Sequence, residues 1–357
     1  MGFVNENVKE NQPLISIVVP VLNAEMFLVE MIESVLGQTY KTWELLLVDA
    51  KSEDGSVSIC EEYAKKYSNI FLFKIERKSP GNSRNFGMYH AKGAYICFLD
   101  ADDYLSDSNL FENYIKIAVQ GKKDIVVCDY ERLWKGKLLP ATSHSAFSKY
   151  GTDTEEFRFR GFFSVGSLSY VWNKLYSIAF LKAHEISFTD ESYAEDKLFN
   201  IQCYLNGATY AFLPEKGYVY RKNEQSVSHK YDSDRSAGWV RIAQRIEAIQ
   251  TTNLTDYTIF FAAFFDAKME YENNKKSLRS AKRVLQNYGK DPLAEKCFKH
   301  LWKEKRKNLP ESFLWRWMMR GFSFFMSAKC YLFLAIGIKM LIDLRIDERL
   351  SDTGKRD

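Results

Sequence analysis

Apolar runs and stretches of helical periodicity alternate along the first 130 residues. Five runs rich in β-branched and aromatic residues predict strands covered on both faces: 14–21, 43–50, 69–75, 94–100 and 124–130. Apolar residues recur at helical spacing between them and predict four helices: 27–36, 59–67, 83–91 and 109–120. Strands that alternate with helices require crossover connections, so the pattern predicts an α/β fold with a largely parallel sheet.

The pattern changes twice further along the chain. Aromatic and polar residues mix between about 131 and 230, and from about 235 the periodicity is helical. A polar, turn-rich stretch, SHKYDSDRSAG, places a boundary near residue 232. We therefore predict a solvated tail over 1–13, an α/β domain over 14–231 and a helical region over 232–357.

Polar residues follow three of the predicted strands at the point where each strand ends. Asn23 follows the first strand, Asp49 follows the second, and the fourth leads into three aspartates: Asp100, Asp102 and Asp103. Ligands of open α/β sheets bind beyond the carboxyl ends of the strands. We therefore expect these polar side chains to contribute to one site.

The aspartate cluster has a structural and a chemical interpretation. Asp107 or Ser108 would cap the next helix, but such a cap leaves Asp100 and Asp102 unexplained. Two carboxylates at i and i+2 can face one cation, and Mn²⁺ or Mg²⁺ takes such oxygen ligands together with phosphate oxygens. A calcium-binding EF-hand is excluded because its sixth and twelfth loop positions lack glycine and glutamate. The cluster therefore predicts a metal ion bound with a diphosphate.

Motifs of three other nucleotide-using classes are missing. The sequence has no G-x-x-x-x-G-K-[ST] loop and no G-x-G-x-x-G after the first strand, so neither a P-loop enzyme nor a dinucleotide oxidoreductase is supported. A sugar-phosphate nucleotidyltransferase would need a glycine-rich, basic loop after the first strand, and VPVLNAEMF is neither.

Four segments, in this order, resemble the family 2 glycosyltransferases of the GT-A fold: SIVVPVLNAEMFLVEMIESVLGQTY, ELLLVDAKSEDGS, GNSRNFGMYHAKGAYICFLDADDYL and AEDKLF. The resemblance covers about 14–226 and is closest to bacterial enzymes that build capsule, exopolysaccharide or teichoic-acid glycans. It implies a nucleotide-sugar donor bound within 14–130 and a glycan or lipid-linked acceptor bound within 131–231. It also implies that Asp49 bonds the base, usually uracil, although Ala50 stands where many relatives have a second aspartate.

The resemblance assigns roles to individual residues. The resemblance implies that nine residues bind the nucleotide, its diphosphate or the metal: Pro20, Asn23, Asp49, Gly81, Asn82, Arg84, Asp100, Ala101 and Asp102. Asp100 and Asp102 would ligate the metal, Asp196 would be the catalytic base, and Glu195 would be its neighbour.

The transfer of a sugar needs two chemical functions. The departing diphosphate gains negative charge, which a metal held by Asp102 and the guanidinium of Arg84 would stabilise. The acceptor hydroxyl loses a proton to a general base, an effect of about 10²–10⁴-fold. Asp196 fits this role, and a single displacement would invert the anomeric carbon. The alternative is that Glu195 and Asp196 are only the acidic first turn of a helix, favoured by its dipole.

Four further residues give a weaker signal. Trp172 and Asn173 either contact a sugar or belong to the core. Arg221 either neighbours the diphosphate or forms a surface ion pair, and His229 is a candidate ligand of the metal or the diphosphate.

The C-terminal third has no catalytic pattern that we can name, but it contains an unusual apolar segment. A helix from Phe322 to Leu344 would be apolar over most of its circumference, because its charged residues fall within about 80° of one another: Lys329, Lys339 and Asp343. Such a helix either lies in a membrane interface or packs against neighbouring helices or in a homo-oligomer.

Composition limits the class of protein. A formal net charge of +4 is too small to argue for nucleic-acid binding. The six cysteines form no C-x-x-C pair, which favours reduced thiols and a cytoplasmic location, with peripheral contact at the inner membrane face as an extension. The N-terminus lacks the features of a secretory signal, and no run is apolar and long enough for an ordinary transmembrane helix.

These observations together predict a metal-dependent, inverting glycosyltransferase with an N-terminal GT-A domain and a helical C-terminal region. The alternative is a non-catalytic nucleotide- or glycan-binding protein on the same scaffold. The acidic residues at 100, 102, 195 and 196 argue against that alternative.

Overall fold

The computed structural model describes residues 12–76, 79–141, 143–163, 168–191, 194–222, 235–305, 309–310 and 312–344. The chain divides into two compact units. The first contains 1–148 and 168–224 and carries the sheet, and the second contains 149–167 and 225–357 and is helical. The predicted boundary near residue 232 lies outside the described residues.

The first unit is built on a mixed sheet. Its strands are β1 Ile15–Val21, β2 Trp43–Asp49, β3 Ile70–Lys74, β4 Tyr95–Phe98, β5 Tyr104–Leu105, β6 Ile125–Trp134, β7 Lys137–Pro140, β8 Lys174–Ser177 and β9 Tyr210–Arg221. They follow the order β3-β2-β1-β4-β8-β6-β9-β5, with β7 paired to β6. The pairs β2–β3, β1–β2 and β1–β4 are parallel, as the alternation of strands and helices predicts.

Beyond β4 the sheet is less parallel than the sequence pattern predicts. β8 lies antiparallel between β4 and β6, and the pairs β5–β9 and β6–β7 are also antiparallel. β8 has four residues, and the pairing of β9 with β6 is interrupted by register shifts. Neither strand therefore gives the long periodic signal by which a strand is recognised in a sequence.

Helices cover both faces of the sheet. Those of the first unit are α1 Glu25–Leu36, α2 Ser56–Lys66, α3 Pro80–His90, α4 Leu110–Gly121, α6 Ile178–Ala183 and α7 Glu195–Leu205. The four helices that the sequence predicts are confirmed as α1, α2, α3 and α4, within three residues at each end. Neither Asp107 nor Ser108, the predicted caps, is the N-cap residue of α4: that residue is Asn109, which makes no side-chain capping hydrogen bond. The Asp107 carboxylate instead accepts the N–H of Asn109 at 2.9 Å.

A glycine lets α3 lie directly on β1. Alternate residues of β1 face opposite sides of the sheet, so Ile17 and Val19 join the core that contains α1, whereas Val18 faces α3. A Cβ at Gly87 would lie 2.3 Å from Val18 Cγ1, closer than two carbon atoms can approach. This contact fixes the position of α3, which also carries Arg84.

The second unit is a group of helices arranged around one buried helix. Its members are α5 Glu155–Phe163, α8 Arg235–Ile249, α9 Asn253–Asn273, α10 Leu278–Lys290, α11 Pro292–Lys303, α12 Phe313–Ser327 and α13 Tyr331–Asp343. α9 is buried over most of its length. α5 belongs here because its aromatic rings pack on α9: Phe163 lies 5.1 Å from Phe261 and 5.8 Å from Tyr257, between ring centroids.

The single amphipathic helix predicted from Phe322 to Leu344 is two helices. α12 ends at Ser327 and α13 begins at Tyr331. Between them Lys329 adopts a φ of 57°, in the left-handed region where helices commonly end. No helix within the described part of the chain combines the length and apolar character needed to cross a bilayer.

The contact between α3 and β1 can be tested with two helical glycines. Gly87→Ala should destabilise the protein by about 1–3 kcal/mol, because the new methyl group overlaps Val18. Gly321→Ala, in α12, is the matched control: nothing lies within 4 Å of its added Cβ, so it should stabilise the helix by roughly 0.5–1 kcal/mol. Chemical denaturation of both variants measures the difference, and equal free energies of unfolding would contradict this account of α3.

Candidate active site

The carboxyl ends of β2, β1 and β4 lie side by side, so the sheet brings the predicted polar loops to one edge. The loops after β1 and β2 are bonded to each other. The N–H of Asn23 donates to Ser52 Oγ at 3.0 Å, and the N–H of Glu53 donates to Asn23 Oδ1 at 2.8 Å. Asn23 has a φ of 51°, a conformation that asparagine adopts more readily than most residues.

Asp49 is a buried part of the loop after β2. Its side chain is 2% exposed and accepts the N–H groups of Lys51 at 3.1 Å and Ser52 at 3.3 Å. Pro20 lies within β1, opposite Val48 of β2. The described contacts of Asp49 therefore shape the loop, and its predicted bond to a base remains a prediction.

The first turn of α3 lies beside the first turn of α7. Ser79 caps α3, since its Oγ accepts the N–H of Asn82 at 3.3 Å and donates to Asn82 Oδ1 at 2.8 Å. A Cβ at Gly81 would lie 2.7 Å from the Thr189 carbonyl oxygen and 3.4 Å from Glu195 Cγ. The absence of a side chain at Gly81 therefore allows α3 to approach Glu195 closely.

Arg84 joins three carboxylates that come from two distant parts of the sequence. Its Nη2 donates to Asp100 Oδ1 at 2.8 Å, while Nη1 contacts Asp196 Oδ1 at 2.9 Å and Glu195 Oε1 at 3.3 Å. The Arg84 side chain is only 5% exposed, and its guanidinium lies 5.4 Å from the ring centroid of Phe188. The predicted metal ligand Asp100 and the predicted base Asp196 therefore belong to one ion-pair cluster.

The pKa of Asp196 is shifted in the direction that suits a base. Burial raises the pKa of this carboxyl above its usual range, the guanidinium of Arg84 opposes the rise, and the carboxylates of Glu195 and Asp100 add to it. Asp196 lies in the first turn of α7, as the helical alternative predicted, and its side chain is still 22% exposed. Asp196 can therefore lie in the first turn of a helix and also contribute to the candidate site.

A buried polar network behind Asp196 was not identified from the sequence. Asn200 Nδ2 donates to the carbonyl oxygens of Asp196 at 3.0 Å and Ser169 at 2.9 Å, and Tyr176 OH donates to Asn200 Oδ1 at 2.9 Å. Lys174 is fully buried nearby on β8, and burial lowers its pKa to about 7. The only sequence signal was the four-residue spacing that puts Asn200 one turn after Asp196.

Asp103 differs in role from the two aspartates before it. It is 1% exposed, and Tyr218 OH donates to its Oδ2 at 2.6 Å. The same tyrosine oxygen accepts the N–H of Asp100 at 3.3 Å. Ala101, which follows Asp100 in the sequence, is also buried. Burial raises the pKa of Asp103 well above its usual range. Asp103 therefore fixes the turn that presents Asp100 and Asp102.

Arg221 holds the same turn from the end of β9. Its backbone N–H donates to Asp103 Oδ1 at 2.6 Å, and its Nε donates to the Asp102 carbonyl oxygen at 2.8 Å. Its Nη2 pairs with Glu30 at 2.6 Å, and its guanidinium lies 4.7 Å from the Phe27 ring centroid. The ion-pair alternative for Arg221 is thus present, and its predicted contact with a diphosphate remains a prediction.

Trp172 and Asn173 lie in the core. Trp172 is 4% exposed and stacks on Tyr218 at 4.5 Å between ring centroids. Asn173 is fully buried and donates through Nδ2 to the Cys128 carbonyl oxygen, with the His144 ring also within hydrogen-bond distance. These contacts support the core interpretation of both residues.

The residues at the turn suit a hard divalent cation. Asp100 and Asp102 supply carboxylate oxygens, and three carboxylates share the one guanidinium of Arg84, so negative charge is in excess around it. Among the described residues no group of three or more His, Cys, Asp and Glu side chains is arranged to hold a metal. The remaining ligands would have to include oxygens of a diphosphate, which Mg²⁺ and Mn²⁺ commonly use. His229 lies outside the described residues.

Comparison with known proteins finds sequences similar to this chain. Residues 16–164 match the profile of the family described as glycosyl transferase family 2. The chain is 31% identical over 229 residues to the uncharacterized glycosyltransferase EpsJ of Bacillus subtilis, covering 60% of this chain and 63% of EpsJ. It is 28% identical over 225 residues to the poly(ribitol-phosphate) beta-N-acetylglucosaminyltransferase TarS of Staphylococcus aureus, covering 61% of this chain and 37% of TarS. The alignments therefore span less than two thirds of either relative.

Solved structures show the same fold. TarS 1–349 of S. aureus in complex with UDP-GlcNAc matches with a TM-score of 0.67 at 20% identity, over 92% of this chain and 91% of that one. The mannosyltransferase PcManGT of Pyrobaculum calidifontis, in complex with GDP-Man and Mn²⁺, matches with a TM-score of 0.51 at 16% identity, over 93% and 88%. The predicted GT-A fold with a helical C-terminal region is confirmed.

Removal of the Arg84 guanidinium tests the ion-pair cluster. Arg84→Met should lower the free energy of unfolding by about 3 kcal/mol, because it leaves three partly buried carboxylates without their shared counter-charge. Lys74→Met is the control, since the pair that Lys74 forms with Glu61 is more than half exposed on both sides, and it should leave stability nearly unchanged. Thermal or urea denaturation compares the two variants with the wild type. Equal stability of Arg84→Met and Lys74→Met would show that the ion pairs of Arg84 do not stabilise the fold.

Proposed function

We propose, from the match of residues 16–164 to the profile described as glycosyl transferase family 2, that this chain is a metal-dependent, inverting glycosyltransferase. It transfers a sugar from a UDP-sugar to a hydroxyl of a glycan or lipid-linked acceptor in the synthesis of a bacterial cell-surface polysaccharide. The observation that carries the proposal is the Arg84 cluster, in which one guanidinium contacts both the aspartate turn after β4 and the acidic first turn of α7.

The aspartate turn supplies the donor side of the reaction. Asp100 and Asp102 would hold Mn²⁺ or Mg²⁺, which when bound acts as a Lewis acid toward the leaving diphosphate. The bonds from Tyr218 and Arg221 to Asp103 hold this turn in one conformation, so the two ligands are placed before substrate binds. Pre-placed ligands avoid the entropic cost of ordering the site during the reaction.

The first turn of α7 supplies the acceptor side. Asp196 takes the proton of the acceptor hydroxyl, and its raised pKa makes it a stronger base than an exposed aspartate. Arg84 contacts Oδ1 of Asp196, and among the described residues no hydrogen bond reaches Oδ2. Arg84 contacts all three carboxylates, so its part here is to position them, and its predicted contact with the diphosphate stays a prediction.

The relatives support the donor and product classes. TarS has been solved with UDP-GlcNAc, and its name describes a β-linked transfer to poly(ribitol-phosphate). A single displacement at an α-linked UDP-sugar would likewise give a β-linked product. We infer a polyol-phosphate or glycan hydroxyl as the acceptor of this chain, and keep its cytoplasmic location as a prediction.

A donor screen with and without chelator tests the donor and the metal together. We expect transfer or slow hydrolysis with a UDP-sugar, and not with GDP- or dTDP-sugars, when the intact products are measured by mass spectrometry. EDTA should lower the rate by at least about 10²-fold, since several kcal/mol of charge stabilisation are lost, and added Mn²⁺ or Mg²⁺ should restore it. A rate that chelation leaves unchanged would overturn the metal-dependent part of the proposal.

Neutralisation of the proposed base separates catalysis from binding. Asp196→Asn should lower the transfer rate by about 10²–10⁴-fold while UDP binding, measured by calorimetry, changes little. Asp107→Asn is the control, because Asp107 lies in the loop before α4 and its amide can keep the bond to Asn109. If the wild-type protein binds UDP but transfers no sugar, and Asp196→Asn behaves identically, the non-catalytic alternative is favoured.

A further inference from the structure

α12 and α13 each expose a largely apolar face, and on α12 the exposed Arg320 lies on that face between Trp317 and Phe324. On α12 this face carries Phe313, Trp317 and Phe324, and on α13 it carries Phe333, Ile336 and Met340. Trp317 is 66% exposed and Phe333 is 58% exposed, although both are large and aromatic. We call these six residues the apolar face. Large contiguous apolar patches are uncommon on soluble monomers and mark interaction sites.

The two halves of the apolar face meet. Phe325 of α12 lies 4.3 Å from Phe333 of α13 between ring centroids, and Phe324 lies 5.3 Å from Phe325. The aromatic contact bridges the turn at Lys329 that separates the helices. The face is therefore one surface and not two separate stripes.

The apolar face is not needed to hold these helices in the second unit. Their opposite sides are already buried, through Trp315, Met319 and Phe322 on α12 and through Leu334 and Ile338 on α13. A helix that buries one apolar side and exposes another has more apolar surface than its own packing uses. The exposed side is therefore free to contact something outside the described chain.

The charged residues around the apolar face indicate which kind of partner binds there. Residues 313–343, the span of α12 and α13, contain four basic side chains, Arg316, Arg320, Lys329 and Lys339, and one acidic side chain, Asp343, which pairs with Lys339. A second copy of the chain packed face to face would bring these like charges together, at a cost in energy. An anionic lipid surface would instead attract them.

We propose that α12 and α13 bind flat on an anionic lipid membrane through the apolar face. The aromatic and aliphatic side chains enter the boundary between headgroups and acyl chains, and the basic residues contact the headgroups. Neither helix is long and apolar enough to span a bilayer, so the contact is peripheral. The inference goes beyond the transfer reaction and does not depend on it, so either can fail alone.

Co-sedimentation of the full chain with lipid vesicles tests the inference. We expect binding to vesicles that contain phosphatidylglycerol, at least tenfold weaker binding to pure phosphatidylcholine, and loss of binding as salt is raised, since exposed charges are screened. A blue shift of tryptophan fluorescence that disappears in Trp317→Phe would place Trp317 in the interface.

Two double variants and a control separate the contributions. Trp317→Ser with Phe333→Ser should lower vesicle binding at least tenfold, and Arg320→Glu with Lys329→Glu should remove the preference for anionic lipid. Tyr89→Ser with Leu138→Ser removes equally exposed apolar residues from the first unit and should bind like the wild type. Circular dichroism confirms that each variant is folded.

The rival occupant gives a distinct result. Light scattering of the wild type should show one mass that the Trp317 and Phe333 double variant shares. A wild-type oligomer that this variant dissociates, together with equal binding of wild type and variant to anionic vesicles, would assign the face to a second copy and overturn the proposal.

Discussion

A single buried guanidinium holds the candidate active site together. Arg84 is almost fully enclosed, and it contacts carboxylates from the turn after β4 and from the first turn of α7. Charges are costly to bury, and they remain buried only when they are paired at good geometry. The requirement to pair Arg84 therefore restricts where α7 can lie relative to β4. That restriction places Asp196 next to Asp100, although 96 residues separate them in the sequence.

The packing of α3 explains how an arginine can occupy this position. Two glycines on the helix give it the room it needs: Gly87 approaches β1, and Gly81 approaches Thr189 and Glu195. Side chains at either position would move the helix outward and carry the guanidinium away from its partners. The electrostatic cluster consequently depends on steric contacts of residues that carry no charge.

The sequence predicts the parallel part of the fold well because its strands lie within continuous apolar runs. β1, β2 and β4 and their loops lie where the apolar pattern places them, so Asn23, Asp49 and Asp100 reach one edge. The pattern could not reveal β8, because its sequence KLYS includes Lys174 and Ser177 and so lacks the continuous apolar run that marks β4, a strand of the same length. It also could not separate Asp103 from Asp102: adjacent aspartates look alike in a sequence, and only the position of Tyr218 decides which one is buried.

The hydrogen bonds to Asp103 limit where the chain can be cut without loss of the candidate site. Tyr218 and Arg221 on β9 donate hydrogen bonds to Asp103 in the turn at 100–103, and Asp196 belongs to α7. These three residues all follow residue 164. The segment that matches the profile described as glycosyl transferase family 2, 16–164, therefore contains the sheet edge but not the groups that shape and complete the candidate site. A fragment cut at that limit would retain the parallel strands and lose Asp196, Tyr218 and Arg221, so a fragment that keeps the candidate site intact must reach at least to the end of β9.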